Sequence, residues 1–232
     1  MNDIVYLLKP GPNEELRFSL RSIEKNFRHG RIVFVGGKPE DITPDRFIKV
    51  DQNLPTKWEN TRKNLLTACQ TEDITENFWL FNDDFFIMEP HKGHGLEFDG
   101  ELLDHVIEIE ARHHQQKSNY TIRLRHLWTT LNQAGVKHPK NYAIHRPMLV
   151  NKAKALEVLT KYPQEPMFRA LYGNLTATEA DSTPAKDCKV TTWLKPAYEM
   201  SDIISTDDKC FAKGAVGRYI REHFTEPSRW ES

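Results

Sequence analysis

Residues 76–90 read ENFWLFNDDFFIMEP, which sets two adjacent carboxylates, Asp83 and Asp84, between two apolar runs. Carboxylates are almost never buried without a partner, because taking an ion out of water costs several kcal/mol. Side by side between core residues, the pair calls for a cation, a cluster of donors or a pocket that stays wet. A divalent cation on a diphosphate suits such a pair. Mg²⁺ or Mn²⁺ takes only one or two protein carboxylates and fills its shell with water and phosphate oxygens, and it neutralises a departing diphosphate as a Lewis acid. The plain alternative is a turn acid that caps a helix or pairs with an arginine.

Other residues offer weaker chemistry. Arg17 and Arg21 are four apart and share a helix face. Glu15, Glu24 and Lys25 lie in the same segment, so a solvated charged face accounts for them equally well. Gly36-Gly37-Lys38 closes an apolar run, and its glycines would let backbone approach a uridine or ribose. From Ala111 to Leu156 there is no acidic residue, against nine Lys or Arg and five His. That composition fits either surface helices neutralised from elsewhere or an acceptor site for an anionic polymer or DNA, with Tyr120 and Trp128 as stacking rings. His113-His114 are adjacent and diverge on a helix, a poor chelate, and His91 and His94 flank a glycine in a loop.

The elements that would carry these residues alternate. Ile4–Leu8 is a short strand ended by Pro10-Gly11-Pro12. Asn13 is an N-cap for a helix over 14–27, where Leu16, Leu20, Ile23 and Phe27 recur at helical spacing. Strands follow at 31–35 and 47–50, a helix at about 58–70, and a strand at 78–81 that delivers Asn82-Asp83-Asp84. Strand, helix, strand, strand, helix, strand implies a parallel α/β sheet, in which ligands bind at the carboxyl ends of the strands. Lys9-Pro10-Gly11, Gly36-Gly37-Lys38 and Asn82-Asp83-Asp84 then share one rim. Beyond this come helices at 99–117, about 119–134 and 151–162, a late strand at 189–194 and a closing helix at 213–224.

Composition narrows the class. Lys plus Arg number 32 and Asp plus Glu 33, so no global field recruits nucleic acid or membrane. Nothing approaches the roughly 18–20 apolar residues of a membrane span. Three scattered cysteines make neither a disulfide framework nor a zinc site, so a reduced, cytoplasmic setting is expected. No linker composition marks a boundary near 95–100. The expectation is one domain, 1–232, with a nucleotide-binding half (1–98) and a helical acceptor-side half (99–232).

ELRFSLRSIEKNF (15–27), the Arg-Ile-Val-Phe-Val strand and NFWLFNDDFFIMEP together resemble the central region of the Stealth family, bacterial capsular-polysaccharide sugar-phosphate transferases with relatives in animal lysosomal-enzyme tagging. Short phage and prophage glycosyltransferases are similar too, including Trp58–Thr61 and the ending Ser228-Arg229-Trp230-Glu231. The resemblance implies a GT-A-like, mostly parallel α/β fold with helices on both faces and a helical C-terminal elaboration. It implies a nucleotide-diphosphate sugar as donor, Mg²⁺ or Mn²⁺ on Asp83 and Asp84, and Arg21, with Arg17, at the diphosphate. Arg62 and Asn64 stand near the family's asparagine-bearing helix. His145, Arg169, Asp207 and Asp208 match family positions loosely, His145 as a second metal ligand or catalytic group and Asp207 or Asp208 as a base. Where the family's first strand ends in an acid, this chain has Lys9, which suits phosphate better than proton abstraction. That substitution favours glycosyl transfer to a polysaccharide, teichoic acid or phage-modified DNA. Sugar-phosphate transfer and a non-catalytic nucleotide- or carbohydrate-binding module are the alternatives.

Overall fold

A computed structural model describes residues 1–112, 118–191 and 201–232. The His113-His114 pair and the second half of the late strand expected at 189–194 lie outside the described residues. Along the chain run β1 (Asp3–Leu8), α1 (Glu14–Asn26), β2 (Ile32–Gly36), β3 (Arg46–Lys49), α2 (Lys57–Gln70), β4 (Asn77–Phe81), β5 (Phe85–Ile87) and β6 (Leu96–Phe98). Then come α3 (Leu102–Arg112), α4 (Asn119–Gln133), β7 (Met148–Asn151), α5 (Lys152–Lys161) and α6 (Phe168–Thr176). The last elements are β8 (Ser182–Pro184), β9 (Lys189–Val190), β10 (Ile203–Thr206), α7 (Asp208–Lys213) and α8 (Ala215–His223). They form two compact units, one of Met1–Gly93, His145–Lys152 and Cys188–Ser232, the other of His94–Ile144 and Ala153–Asp187.

The first unit is built on a sheet ordered β3-β2-β1-β4-β7. Pairings among β3, β2, β1 and β4 are parallel, while β7 joins β4 antiparallel. This is the expected α/β architecture with a mainly parallel central sheet. β1 and β2 are apolar along nearly their whole length and buried, as strands covered on both faces must be. Tyr6, Phe34, Phe81, Phe85 and Phe27 meet in one core, with Phe27 edge-on to both Trp79 and Phe81. Each such ring stabilises the unit by roughly 1.5–3 kcal/mol through burial.

A second, small sheet ordered β5-β10-β9 belongs to the same unit. β5 pairs antiparallel with β10, and β9 pairs parallel with β10 on its other side. The register sets Phe85 opposite Ser205 and Ser205 opposite Lys189. Helix α1 satisfies the remaining edge of β5. Ser19 Oγ donates to the Phe85 carbonyl at 2.6 Å, Ser22 Oγ accepts the Ile87 N–H at 3.0 Å, and Asn26 Nδ2 donates to the Ile87 carbonyl at 2.7 Å. Three polar residues on one stripe of α1 thus take the place of a neighbouring strand.

The second unit holds β6 paired parallel with β8, and α3 to α6. Asn174 on α6 clasps both backbone groups of Lys140, accepting its N–H at 2.7 Å and donating to its carbonyl at 2.8 Å. Among the described residues no helix is long and apolar enough to cross a membrane.

Candidate functional site

β4 ends in a tight turn, closed by the Phe85 N–H on the Asn82 carbonyl at 3.3 Å. Asn and Asp favour such corners, and the turn sets Asp83 and Asp84 where β4 leaves the main sheet and β5 enters the small one. The register of the small sheet then decides what Asp84 meets. Its Oδ2 accepts Lys189 Nζ at 2.6 Å and Ser205 Oγ at 2.8 Å, and Lys189 Nζ also donates to the Thr206 carbonyl. Asp84 is only 8% exposed, and its Oδ1 is buried with no hydrogen-bond partner among the described residues. A half-satisfied carboxylate of this kind is costly unless something else engages the second oxygen.

Asp83 belongs to the start of α1. Asn13 caps the helix by accepting the Leu16 N–H at 3.0 Å, and the other end of its amide donates to Asp83 Oδ2 at 2.5 Å. Burial pushes the Asp83 carboxyl above the usual range, the neighbouring Asp84 charge reinforces this, and Asn13 and Lys9 oppose it. Glu15, in the first turn of α1, joins the same cluster. Burial, and then the charges of Asp84, Asp83 and Asp208, push its carboxyl up to about 7 against the pull of the Thr206 hydroxyl, which donates to it at 2.7 Å. Beneath the turn, Tyr6 and Ser19 share a hydrogen bond at 2.7 Å, and burial together with the two aspartates drives the phenol upward. Glu15, Ser205 and Lys189 were absent from the sequence candidates. The available signal for Glu15 was its position two residues after a capping Asn13, in the first turn of α1.

The three expected loops do share a rim, because β2, β1 and β4 are parallel neighbours ending on one side. Gly36 has φ of 114°, and a Cβ there would lie 2.2 Å from the Leu8 carbonyl. At Gly37 a Cβ would lie 2.3 Å from Pro10 N, so both glycines let the first two strand ends touch. Buried Asn64 braces that contact, with Nδ2 toward the Leu8 carbonyl at 3.5 Å and Oδ1 accepting from Gln52 at 2.9 Å. Lys38 folds back onto the carbonyls of Pro39 and Ile42 at 3.2 and 3.4 Å. Lys9 is exposed on the rim, and its charge reaches Asp83. Arg62 is partly buried on α2, and desolvation lowers its guanidinium pKa.

The arginines of α1 are engaged elsewhere. Arg21 forks onto Glu231 (Nε–Oε1 2.8 Å, Nη2–Oε2 2.6 Å) and donates from Nη1 to the Phe224 carbonyl at 3.0 Å. Arg17 reaches Glu231 at 3.1 Å and also pairs with Asp41. Ser228 completes the ring, its N–H and hydroxyl meeting Glu231 Oε1 at 2.8 and 3.0 Å. Burial works against the Glu231 carboxylate, but Arg21 and Ser228 outweigh it and hold it below the usual range. The two segments noted in the sequence, LRFSLRSIEK and SRWE, therefore meet in one clasp. By helix rise Arg21 lies about 12 Å along α1 from Asn13, so the structure gives it a carboxylate partner instead of the acid pair's neighbourhood.

The remaining candidates divide. Antiparallel β7 delivers the 145–147 segment to the carboxyl end of β4. The His145 carbonyl there accepts Cys188 Sγ at 2.7 Å. Among the described residues, however, no three His, Cys, Asp or Glu side chains gather as metal ligands, so His145 is not assembled with Asp83 and Asp84. Asp207 caps α7 through the Cys210 N–H at 2.8 Å, while Asp208 is exposed and close enough for its charge to act on Glu15. Arg169 sits on α6 in the second unit. In the acid-free stretch, Arg125 forks onto Glu110, Arg112 onto Glu108, Lys140 approaches Glu101 at 3.6 Å and Arg146 meets Asp202 at 2.9 Å. Acids from outside the stretch neutralise much of it.

The residues at the turn fit a divalent ion that is completed by a ligand: Asp84 Oδ1 is buried and unmatched, and Asp83 stands next to it. No family model and no curated protein matches the sequence. Among solved structures, the chain is similar to the galactosyltransferase LgtC, determined with donor and acceptor sugar analogues, with a TM-score of 0.53 and 12% identity over 98% of each chain. At that identity the likeness establishes the fold, which is that of GT-A glycosyltransferases.

Proposed function

We propose that the chain is a glycosyltransferase that takes a sugar from a nucleotide-diphosphate donor, with its donor diphosphate at the Asp83–Asp84 turn. The observation that carries this reading is the unmatched, buried Asp84 Oδ1 at the carboxyl end of a central parallel strand, the ligand-binding rim of such sheets. Asp83 and Asp84 would hold Mg²⁺ or Mn²⁺, which when bound neutralises the leaving diphosphate. Lys9, across the rim on the end of β1, adds positive charge toward the same phosphates. Gly36 and Gly37 shape the rim by packing, since they let the ends of β1 and β2 approach closely. Of the two C-terminal acids, Asp208 is the better proton acceptor for an incoming hydroxyl, since the Asp207 carboxylate is committed to capping α7.

The LgtC structure contains donor and acceptor sugar analogues, which supports the same substrate class here. For the acceptor, a glycan or anionic polymer is the class we propose, on the basic composition of residues 111–156. A steep loss of product formation between about 50 and 300 mM salt would mark a polyanion, and a flat profile a neutral glycan. The donor reading is tested by thermal shift against a panel of nucleotide-diphosphate sugars, each with and without Mn²⁺. At least one should raise the Tm of the wild-type chain only with Mn²⁺, and Asp84→Asn should abolish that increment. A panel without any shift in the presence of the metal overturns it.

A further inference from the structure

Lys189 is the least expected member of the site. It stands on β9, more than a hundred residues from the acid pair, and the parallel pairing of β9 with β10 fixes it opposite Ser205. Its ammonium lies 2.6 Å from Asp84 Oδ2, its side chain is 21% exposed, and the Thr206 carbonyl holds it from the other side. It therefore occupies one oxygen of a carboxylate whose other oxygen has no partner among the described residues. A compact ammonium and a divalent ion on the same carboxylate repel each other strongly at such range. Lysine is also a flexible point charge, able to follow a phosphate where an arginine fork would be locked to one geometry.

Resting on the donor reading above, we propose that Lys189 is a resident counter-cation of Asp84 that competes with the divalent ion and passes to the donor's diphosphate when the ion binds. Before the donor arrives, Lys189 keeps the acid cluster of Asp83, Asp84, Glu15 and Asp208 from standing uncompensated. Once metal and diphosphate arrive together, the ammonium leaves Asp84 Oδ2 and adds its charge to the leaving group. Metal and nucleotide then bind cooperatively, each removing an obstacle for the other. The bare protein holds the metal weakly.

The sign of one measurement separates this from a supporting role. Titration calorimetry of Mn²⁺ alone into the full chain should give an affinity about fivefold or more higher in Lys189→Met than in wild type, since the largely buried ion pair of Lys189 with Asp84 is lost from the competition. With saturating Mn²⁺, uridine diphosphate should bind Lys189→Met about tenfold more weakly than wild type. Lys189→Arg, which keeps the cation, should leave the Mn²⁺ affinity near wild type. Lys189→Gln keeps a hydrogen-bond donor toward Asp84 and carries the same expectation as Met if that variant folds poorly. Equal or weaker Mn²⁺ binding in both neutral variants, or no Mn²⁺ binding in any protein, overturns the proposal. Tighter Mn²⁺ binding in the neutral variants with no response to any sugar nucleotide would uphold the competition while removing the glycosyl-transfer reading.

Discussion

Helix α1 carries two charge clusters, one at Arg17 and Arg21 along its length and one at its N-terminal Asn13 and Glu15, and the two are built on opposite principles. Around Arg17 and Arg21 the charges are matched: one buried carboxylate, Glu231, takes both guanidinium groups and a serine, and Arg21 also donates to a backbone carbonyl. Around Asn13 and Glu15 the acids outnumber the cation. Asp84 pairs with Lys189, Asp83 feels only the more distant charge of Lys9, one buried oxygen of Asp84 has no partner among the described residues, and both Asp83 and Glu15 are pushed toward protonation. A completed network rigidifies; an incomplete one at a strand-end rim is where a ligand finishes the pairing. On the proposed donor reading, the first cluster serves the fold and the second the chemistry.

The largest expected effect is at the incomplete cluster. If the donor reading holds, Asp84→Asn removes the charge on which metal and diphosphate would depend, and turnover at saturating donor should fall by about 10²–10³-fold. Its Tm should fall as well, because the ion pair of Asp84 Oδ2 with Lys189 goes with the charge, so turnover is compared well below the transition. A variant that turned over normally would make the acid pair a mere turn.

Glu231→Gln tests the opposite end. The Glu231 side chain is 4% exposed, and its loss leaves two guanidinium groups facing each other. Breaking a buried pair from one side costs about 3–5 kcal/mol. For a chain of this size that lowers Tm by roughly 6–20 °C. Mn²⁺-dependent nucleotide affinity, measured well below the transition, should be unchanged. Equal damage to affinity and stability would erase the distinction between the clusters.

How far the sequence revealed this contrast depended on the range of the contacts. The alternation through residue 81 fixed β1 to β4 with α1 and α2, each within a residue of its expected ends, because periodicity and turn residues are local signals. β5, β7 and β10 went unread: three or four residues each, they are too short for a period, and they exist because of strands distant in sequence. Asp83 and Asp84 were legible from their chemical oddity. Lys189 and Ser205 were not, since only the β5-β10-β9 register brings them to Asp84. Arg21 misled for the converse reason. Its motif was plain, but its partner lies 210 residues away at Glu231.

Arg21→Lys is therefore a sharper probe than its conservative appearance suggests. The motif resemblance implies a diphosphate ligand, whose loss of the bidentate fork would lower turnover more than stability. The clasp implies the reverse: the charge survives, the fork on Glu231 and the contact to the Phe224 carbonyl do not, and about 1 kcal/mol of stability goes with them. Calorimetry should show Tm lower by about 2–4 °C with wild-type turnover at saturating donor. A turnover loss at unchanged Tm would return Arg21 to the donor.

The smallest effect is also the one with a definite pH signature. Glu15 has its carboxyl pushed up to about 7 in the folded chain from an ordinary 4.5, chiefly by burial and then by Asp84, Asp83 and Asp208. The folded state then holds a proton that the unfolded state has released, so this group subtracts stability as pH rises from about 4.5 to about 7, and the loss is complete above that. Glu15→Gln retains a carbonyl oxygen for the Thr206 hydroxyl and cannot ionise. Its Tm should match wild type near pH 4.5 and exceed it at pH 8. Glu15 is only partly buried, so solvent screening reduces the effect to about 2–4 °C. Parallel Tm profiles from pH 4.5 to 8 would show that Glu15 titrates as an ordinary surface acid. Mn²⁺ supplies the finishing contrast: a cation at Asp83 and Asp84 would favour the ionised Glu15, so adding it to wild type at pH 8 should narrow the gap to Glu15→Gln while leaving the Tm deficit of Glu231→Gln in place.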